Sequence, residues 1–176
     1  MSRITFINQN REANIVEEAR KELKLVSENM SFYEKFNDVE DEQDFIHMLC
    51  RECADVEEIK WAIDQYEDLP PFNEYGLSFD YVELGTFDDQ EEDYFRYQIT
   101  YGGPSVEIRF YEDYFIEFVY LNWFCGVGFD VTDEDWAIFV HDYFADIEML
   151  DFETKREETN YYEKKMEQEE EEDKDE

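Results

Sequence analysis

The sequence predicts an α+β fold of N-terminal helices, a central antiparallel β-meander, a C-terminal helix and an acidic tail. Three observations predict it. Apolar residues recur at helical spacing over the first third of the chain. Alternating, aromatic-rich runs joined by tight turns fill the middle. One more apolar stripe at helical spacing follows them. Helices, then strands, then a helix read as α+β, because a parallel α/β sheet needs the two to alternate.

In residues 11–30, Ala13, Val16, Ala19, Leu23 and Val26 line one face, with Glu and Lys on the other. Two shorter helices follow at 42–54 (Phe45, Ile46, Leu49, Cys50, Cys53) and 56–67 (Ile59, Trp61, Ala62, Ile63, Tyr66). Pro70 and Pro71 stop the helical region, since proline lacks the donor and clashes with the preceding turn. Strand patterns then run through 77–84, 94–101, 106–111 and 114–123, with a turn at 101–105 (YGGPS) and a second at Glu112–Asp113. Gly126 and Gly128 read as an end or bulge of the sheet. Thr132 reads as the start of the last helix, whose stripe is Trp136, Phe139, Val140, Tyr143, Phe144 and Ile147. Residues 1–150 therefore form one domain, helical over 1–70 and sheet plus helix over 76–150. Residues 151–176 form an acidic tail, helical over 153–167 or disordered.

The charge is the strongest signal. Asp and Glu number 50 against 15 Lys and Arg, for a net charge of −35. Such a balance usually accompanies disorder. Here 18% aromatic and 43% hydrophobic residues supply a core, so the reading is a folded domain under a charged shell. DNA, RNA and anionic membranes would be repelled, and a basic protein face would be attracted and steered. No apolar run is long enough for a signal peptide or a bilayer span, which places the chain in the cytoplasm of a host cell.

The acidity is distributed in blocks. Residues 61–95 and 110–154 contain no Lys or Arg. Carboxylates one helical turn apart lie roughly 5–6 Å from each other, close enough to stand in for a row of phosphates. The expected partner-binding residues are Asp88, Asp89, Glu91, Glu92, Asp93, Tyr94, Asp133, Glu134, Asp135, Asp142 and Asp146. Trp136 and Tyr143 are core candidates first and anchors second. The same composition also serves plain solubility or life in brine.

Chemical sites are weaker. His47, Cys50 and Cys53 have ligand-like spacing, with Cys125 or His141 as a fourth donor. Steps of three on a helix make those side chains diverge, and the two thiols fall among core positions. Asp130 to Asp135 lacks the sixth-position glycine and twelfth-position glutamate of a calcium loop. No nucleophile elbow, phosphate loop or dinucleotide fingerprint occurs. The expectation is no enzyme, no cofactor and no bound metal.

Acids interleaved with aromatics, as at 87–95 (FDDQEEDYF) and 132–136 (TDEDW), together with the size and a pI near 4.1, give the chain a likeness. It resembles the small acidic DNA-mimic proteins of phages and conjugative plasmids. The turn at 97–105 (YQITYGGPS) is similar to one found in small mobile-element proteins. The resemblance is compositional over the whole chain and carries no residue-by-residue correspondence. It implies an anti-restriction or anti-CRISPR inhibitor whose partner is a nuclease or a restriction or CRISPR effector. Two other readings fit the charge: an immunity protein that neutralises one cognate nuclease toxin, and an acidic chaperone of histones or ribosomes that works through its tail. The sequence leaves a homodimer open.

Overall fold

The structure, a computed structural model, describes residues 4–7, 13–36, 39, 42–53, 55–87, 90–123 and 125–174. In chain order the elements are β1 (Ile4–Ile7), α1 (Ala13–Phe36), α2 (Glu42–Glu52), α3 (Val56–Asp68) and α4 (Phe72–Tyr75). There follow β2 (Ser78–Val82), β3 (Tyr94–Thr100), β4 (Ser105–Phe110), β5 (Ile116–Asn122), β6 (Cys125–Asp130), α5 (Asp135–Asp146) and α6 (Phe152–Lys174).

The α+β class holds, and the meander is larger than its sequence pattern suggests. Six antiparallel strands lie in the order β1-β6-β5-β4-β3-β2. Gly126 and Gly128, expected to end or bulge the sheet, lie inside β6, opposite Leu121 and Val119. The physical reason is room: a Cβ at Gly128 would meet Glu117 Oε1 at 2.1 Å. The glycine makes space for a long side chain from the neighbouring strand. β1 is too short to announce itself by alternation, and it pairs along β6.

One face of the sheet carries the hydrophobic core. Phe95, Tyr97 and Ile99 of β3, Val106, Ile108 and Phe110 of β4, and Phe118 and Tyr120 of β5 cluster with Ile15, Val26 and Met30 of α1 and Trp136, Val140 and Phe144 of α5. The helix α1 runs past its expected end at residue 30 because Phe32, Tyr33 and Phe36 still have rings to meet. Phe36 packs on Phe45 of α2, Phe32 on Trp61 of α3, and Tyr33 on Phe72 of α4. Asp55 caps α3, its Oδ1 accepting from the backbone N–H of Glu57 at 3.0 Å and Glu58 at 2.9 Å. Thr132 does not cap α5. Its hydroxyl accepts from the N–H of Ile116 at 3.0 Å, and the helix starts after Glu134.

The other face is ionic. Strand register sets Asp80, Arg96, Arg109, Glu117 and Asp130 directly opposite one another across five strands. Val82, Tyr94 and Val119 share this face and are buried outside the main core cluster. Arg109 donates to Glu107 Oε1 through Nε at 2.7 Å and Nη2 at 2.6 Å, and lies 4.6 Å over the ring of Tyr94. Arg96 reaches Asp80 at 3.2 Å. Glu107 is 2% and Glu117 5% exposed, so both carboxylates have left bulk water.

Burial pushes the Glu117 carboxyl up, against the pull of Arg109. Between the ordinary carboxylate range and that raised value, the folded chain keeps a proton that the unfolded chain has released. Stability therefore falls as pH rises through the window. Glu117→Gln removes the ionisation, so its urea midpoint should gain on the parent as pH climbs above the ordinary carboxylate range. A difference between the two that is independent of pH would refute this account of Glu117.

Candidate functional site

In a meander, alternate connections emerge at the same end of the sheet. Here the connections 83–93, 111–115 and 131–134 all leave one end. By sequence they hold Glu83, Asp88, Asp89, Glu91, Glu92, Asp93, Glu112, Asp113, Asp133 and Glu134, and no Lys or Arg. They extend across the width from β2 to β6, about 19 Å at ordinary strand spacing. The opposite end is turned by residues 101–104 (YGGP) and 123–124 (WF), which bear no charge. The connections are thus acidic at one end of the sheet and uncharged and aromatic at the other.

Two helices extend the acidic end. Asp135 opens α5, and Asp142 and Asp146 follow it along the exposed side, opposite the buried Trp136, Ala137, Val140 and Phe144. The rise from Asp135 to Asp146 is about 16 Å. Asp142 Oδ1 lies 3.1 Å from His141 Nδ1. The helix α1 brings Glu34 to the same place: its carboxyl is pushed up by burial first and then by the charge of Asp135.

The cations of the sheet do not reach this end. Arg96 and Arg109 are the only Lys or Arg between Lys60 and Lys155, and both are held on the ionic face by Asp80 and Glu107. The cation that does reach it comes from α6. Arg156 Nε and Nη2 donate to Asp93 at 2.7 and 2.9 Å, and Nη2 also lies 2.8 Å from Glu112.

No family model, curated protein or solved structure matches the chain.

The expected site residues separate into groups. Glu91, Glu92, Asp133, Glu134, Asp135, Asp142 and Asp146 are exposed and lie at or beside the acidic end. Asp93 is there too, but it is half-buried and engaged by Arg156 and by the hydroxyl of Tyr81, and the Arg156 hydrogen bond holds its carboxyl below the usual range. Tyr94 is not at the surface. It is 2% exposed under Arg109 on the ionic face, because its parity in β3 sets it one residue away from the core side. Trp136 is buried, and Tyr143 packs against Phe72. Asp88 and Asp89 lie outside the described residues.

Some residues at this end are not among the expected partner-binding set. Glu112 and Asp113 read from the sequence as a tight turn within the cation-free block. Asp113 Oδ1 accepts from the N–H of Phe115 at 3.1 Å, and Tyr114 projects at φ 67° with its ring 4.8 Å from that of His141. Glu34 lies 101 residues from its acidic neighbour in α5, Asp135. Of the candidate metal ligands, His47 is exposed on α2 and the side chain of Cys50 lies outside the described residues. Cys125 donates to the carbonyl of Asn122, and His141 stacks on Tyr114. Among the described residues, no three of His, Cys, Asp and Glu are grouped to hold a metal, and no helix is long and apolar enough to cross a membrane.

Proposed function

We propose that this chain is an inhibitor that occupies the phosphate-gripping surface of a basic nucleic-acid-binding defence enzyme, of the anti-restriction or anti-CRISPR kind. The single observation that carries the reading is the convergence of three cation-free connections at one end of the sheet. Duplex DNA presents one charge per 1.7 Å, so about 19 Å of duplex presents roughly eleven. Eight acidic residues of the three connections are among the described residues, and Arg156 engages two of them, so the end offers a sparser row of the same sign across that width. An enzyme that grips phosphates with Arg and Lys meets these carboxylates as it would meet DNA. Long-range attraction speeds the encounter, and release of condensed ions drives binding. The inhibitor blocks by occupation and performs no reaction of its own.

The grouping of ten acids in connections at one end of the sheet also favours the immunity-protein reading, which needs one focused patch. A capture experiment separates them. The chain, immobilised at low salt and eluted by a salt gradient, should retain a DNA- or RNA-binding enzyme, and that enzyme should lose its oligonucleotide when the chain is added. Recovery of no such enzyme, or of one that still holds its nucleic acid, rejects the proposal. Protection against a single nuclease toxin, with restriction untouched, moves the assignment to an immunity protein.

A further inference from the structure

We infer that Asp93, Glu112 and Tyr81 form a seat for an arginine of the partner, and that Arg156 of α6 occupies this seat until the partner displaces it. The inference rests on the acidic end being the partner surface. The chemistry of the occupant is visible in the structure, because a guanidinium already sits there. Asp93 takes Arg156 through both carboxylate oxygens, at 2.7 and 2.9 Å, and Glu112 Oε2 closes on the same group at 2.8 Å. Tyr81 donates its hydroxyl to Asp93 and so fixes the carboxylate. The ring of Phe152 lies 5.6 Å from the guanidinium carbon. Two carboxylates presented edge-on with an aromatic wall suit the planar fork of arginine better than the point charge of lysine.

The present occupant bonds to Asp93, 12% exposed, at two points, but the helix that carries it is anchored chiefly at its first turn. Phe152 is the buried residue of α6, packed 4.7 Å from Phe95, and from Asn160 onward the described side chains are exposed. Open hollows of about 640 and 630 Å³ flank the start of the helix, one beside Tyr81 and Lys155, the other beside Glu112 and Tyr114. The side chain of Arg156 is 41% exposed and that of Glu112 60% exposed, so their bond is screened by water. An arginine from a partner that is bound at its other contacts competes on favourable terms. Phe152 keeps the root of α6 in place while the remainder swings away.

The probe is a fluorescent nona-arginine peptide, titrated into the full chain at physiological salt. Arg156→Ala empties the seat and should tighten binding at least about fivefold, since even one exposed ion pair is worth up to that much and Asp93 is half-buried. Adding Asp93→Asn and Glu112→Gln to that variant should abolish the gain, whereas adding Asp142→Asn should leave most of it. In the unmodified chain, hydrogen exchange over residues 157–162 should speed up when the peptide binds. Equal or weaker binding by Arg156→Ala, or unchanged exchange in α6 at saturating peptide, overturns the inference. If enzyme capture persists while the seat variants change nothing, the seat alone is refuted and the acidic-end reading stands.

Discussion

Replacing Arg109 with methionine should lower the unfolding free energy by about 3–5 kcal/mol, because a buried ion pair that loses one partner leaves uncompensated charge in low dielectric. The melting midpoint should drop by roughly 10 °C for a chain of this size. The cost is high here because Arg109 serves two buried carboxylates. Glu107 is bonded to it directly, and Glu117 stands opposite it in the register, with Asp130 the next acid along the row. Adding Glu107→Gln and Glu117→Gln to Arg109→Met should recover a large part of the loss, since neutral amides do not need the cation. Urea titration of the three variants decides the matter. A single variant within 1 kcal/mol of the parent would mean that the ionic row does not hold the second face together.

Reversing Glu91, Glu92, Asp133 and Glu134 to lysine should weaken binding of the captured enzyme about a hundredfold or more. Each reversal removes an attraction and adds a repulsion worth up to about 1 kcal/mol at an exposed position. The slope of log affinity against log salt should flatten as well. The control keeps the total charge the same: the exposed Glu57, Asp64, Glu67 and Asp68 of α3, outside the sheet and its connections, are reversed instead. That set should cost only a few-fold. Equal losses from both sets, measured by titration with the enzyme, would reduce the acidic end to a share of a general negative field.

Much of this organisation is legible in the sequence, and the misses have physical causes. The meander follows from period-two alternation in 94–101 and 106–111 and from the turns between them. Its parity sends the connections after β2 and β4 to one end, whereas β6, whose glycines read as the end of the sheet, adds the third connection only in the structure. What parity does not give is the role of each carboxylate. Asp93 and Asp89 look alike in a run of acids, but Asp93 meets a guanidinium from 63 residues away. Tyr94 looks like an exposed aromatic among acids, but an Arg one strand over covers it. Such pairings are long-range, and local pattern does not register them. The tail differs for a local reason. Glu, Lys and Gln are good helix formers, and the run 169–172, expected to be disordered, continues α6. Its first turn also belongs to the domain, since Phe152 is part of the core.

The neutral turns at the far end of the strands have a consequence for how the molecule travels. With acids in the connections beyond β2, β4 and β6 and no charge in the turns at 101–104 and 123–124, the sheet is electrically unequal from end to end. In the field of a cationic surface it experiences a torque as well as an attraction. That torque, taken over the sheet alone, favours an approach in which Trp123, 83% exposed at the uncharged turns, trails behind. A fluorophore or surface tether attached at those turns points away from the encounter and leaves its kinetics unaltered.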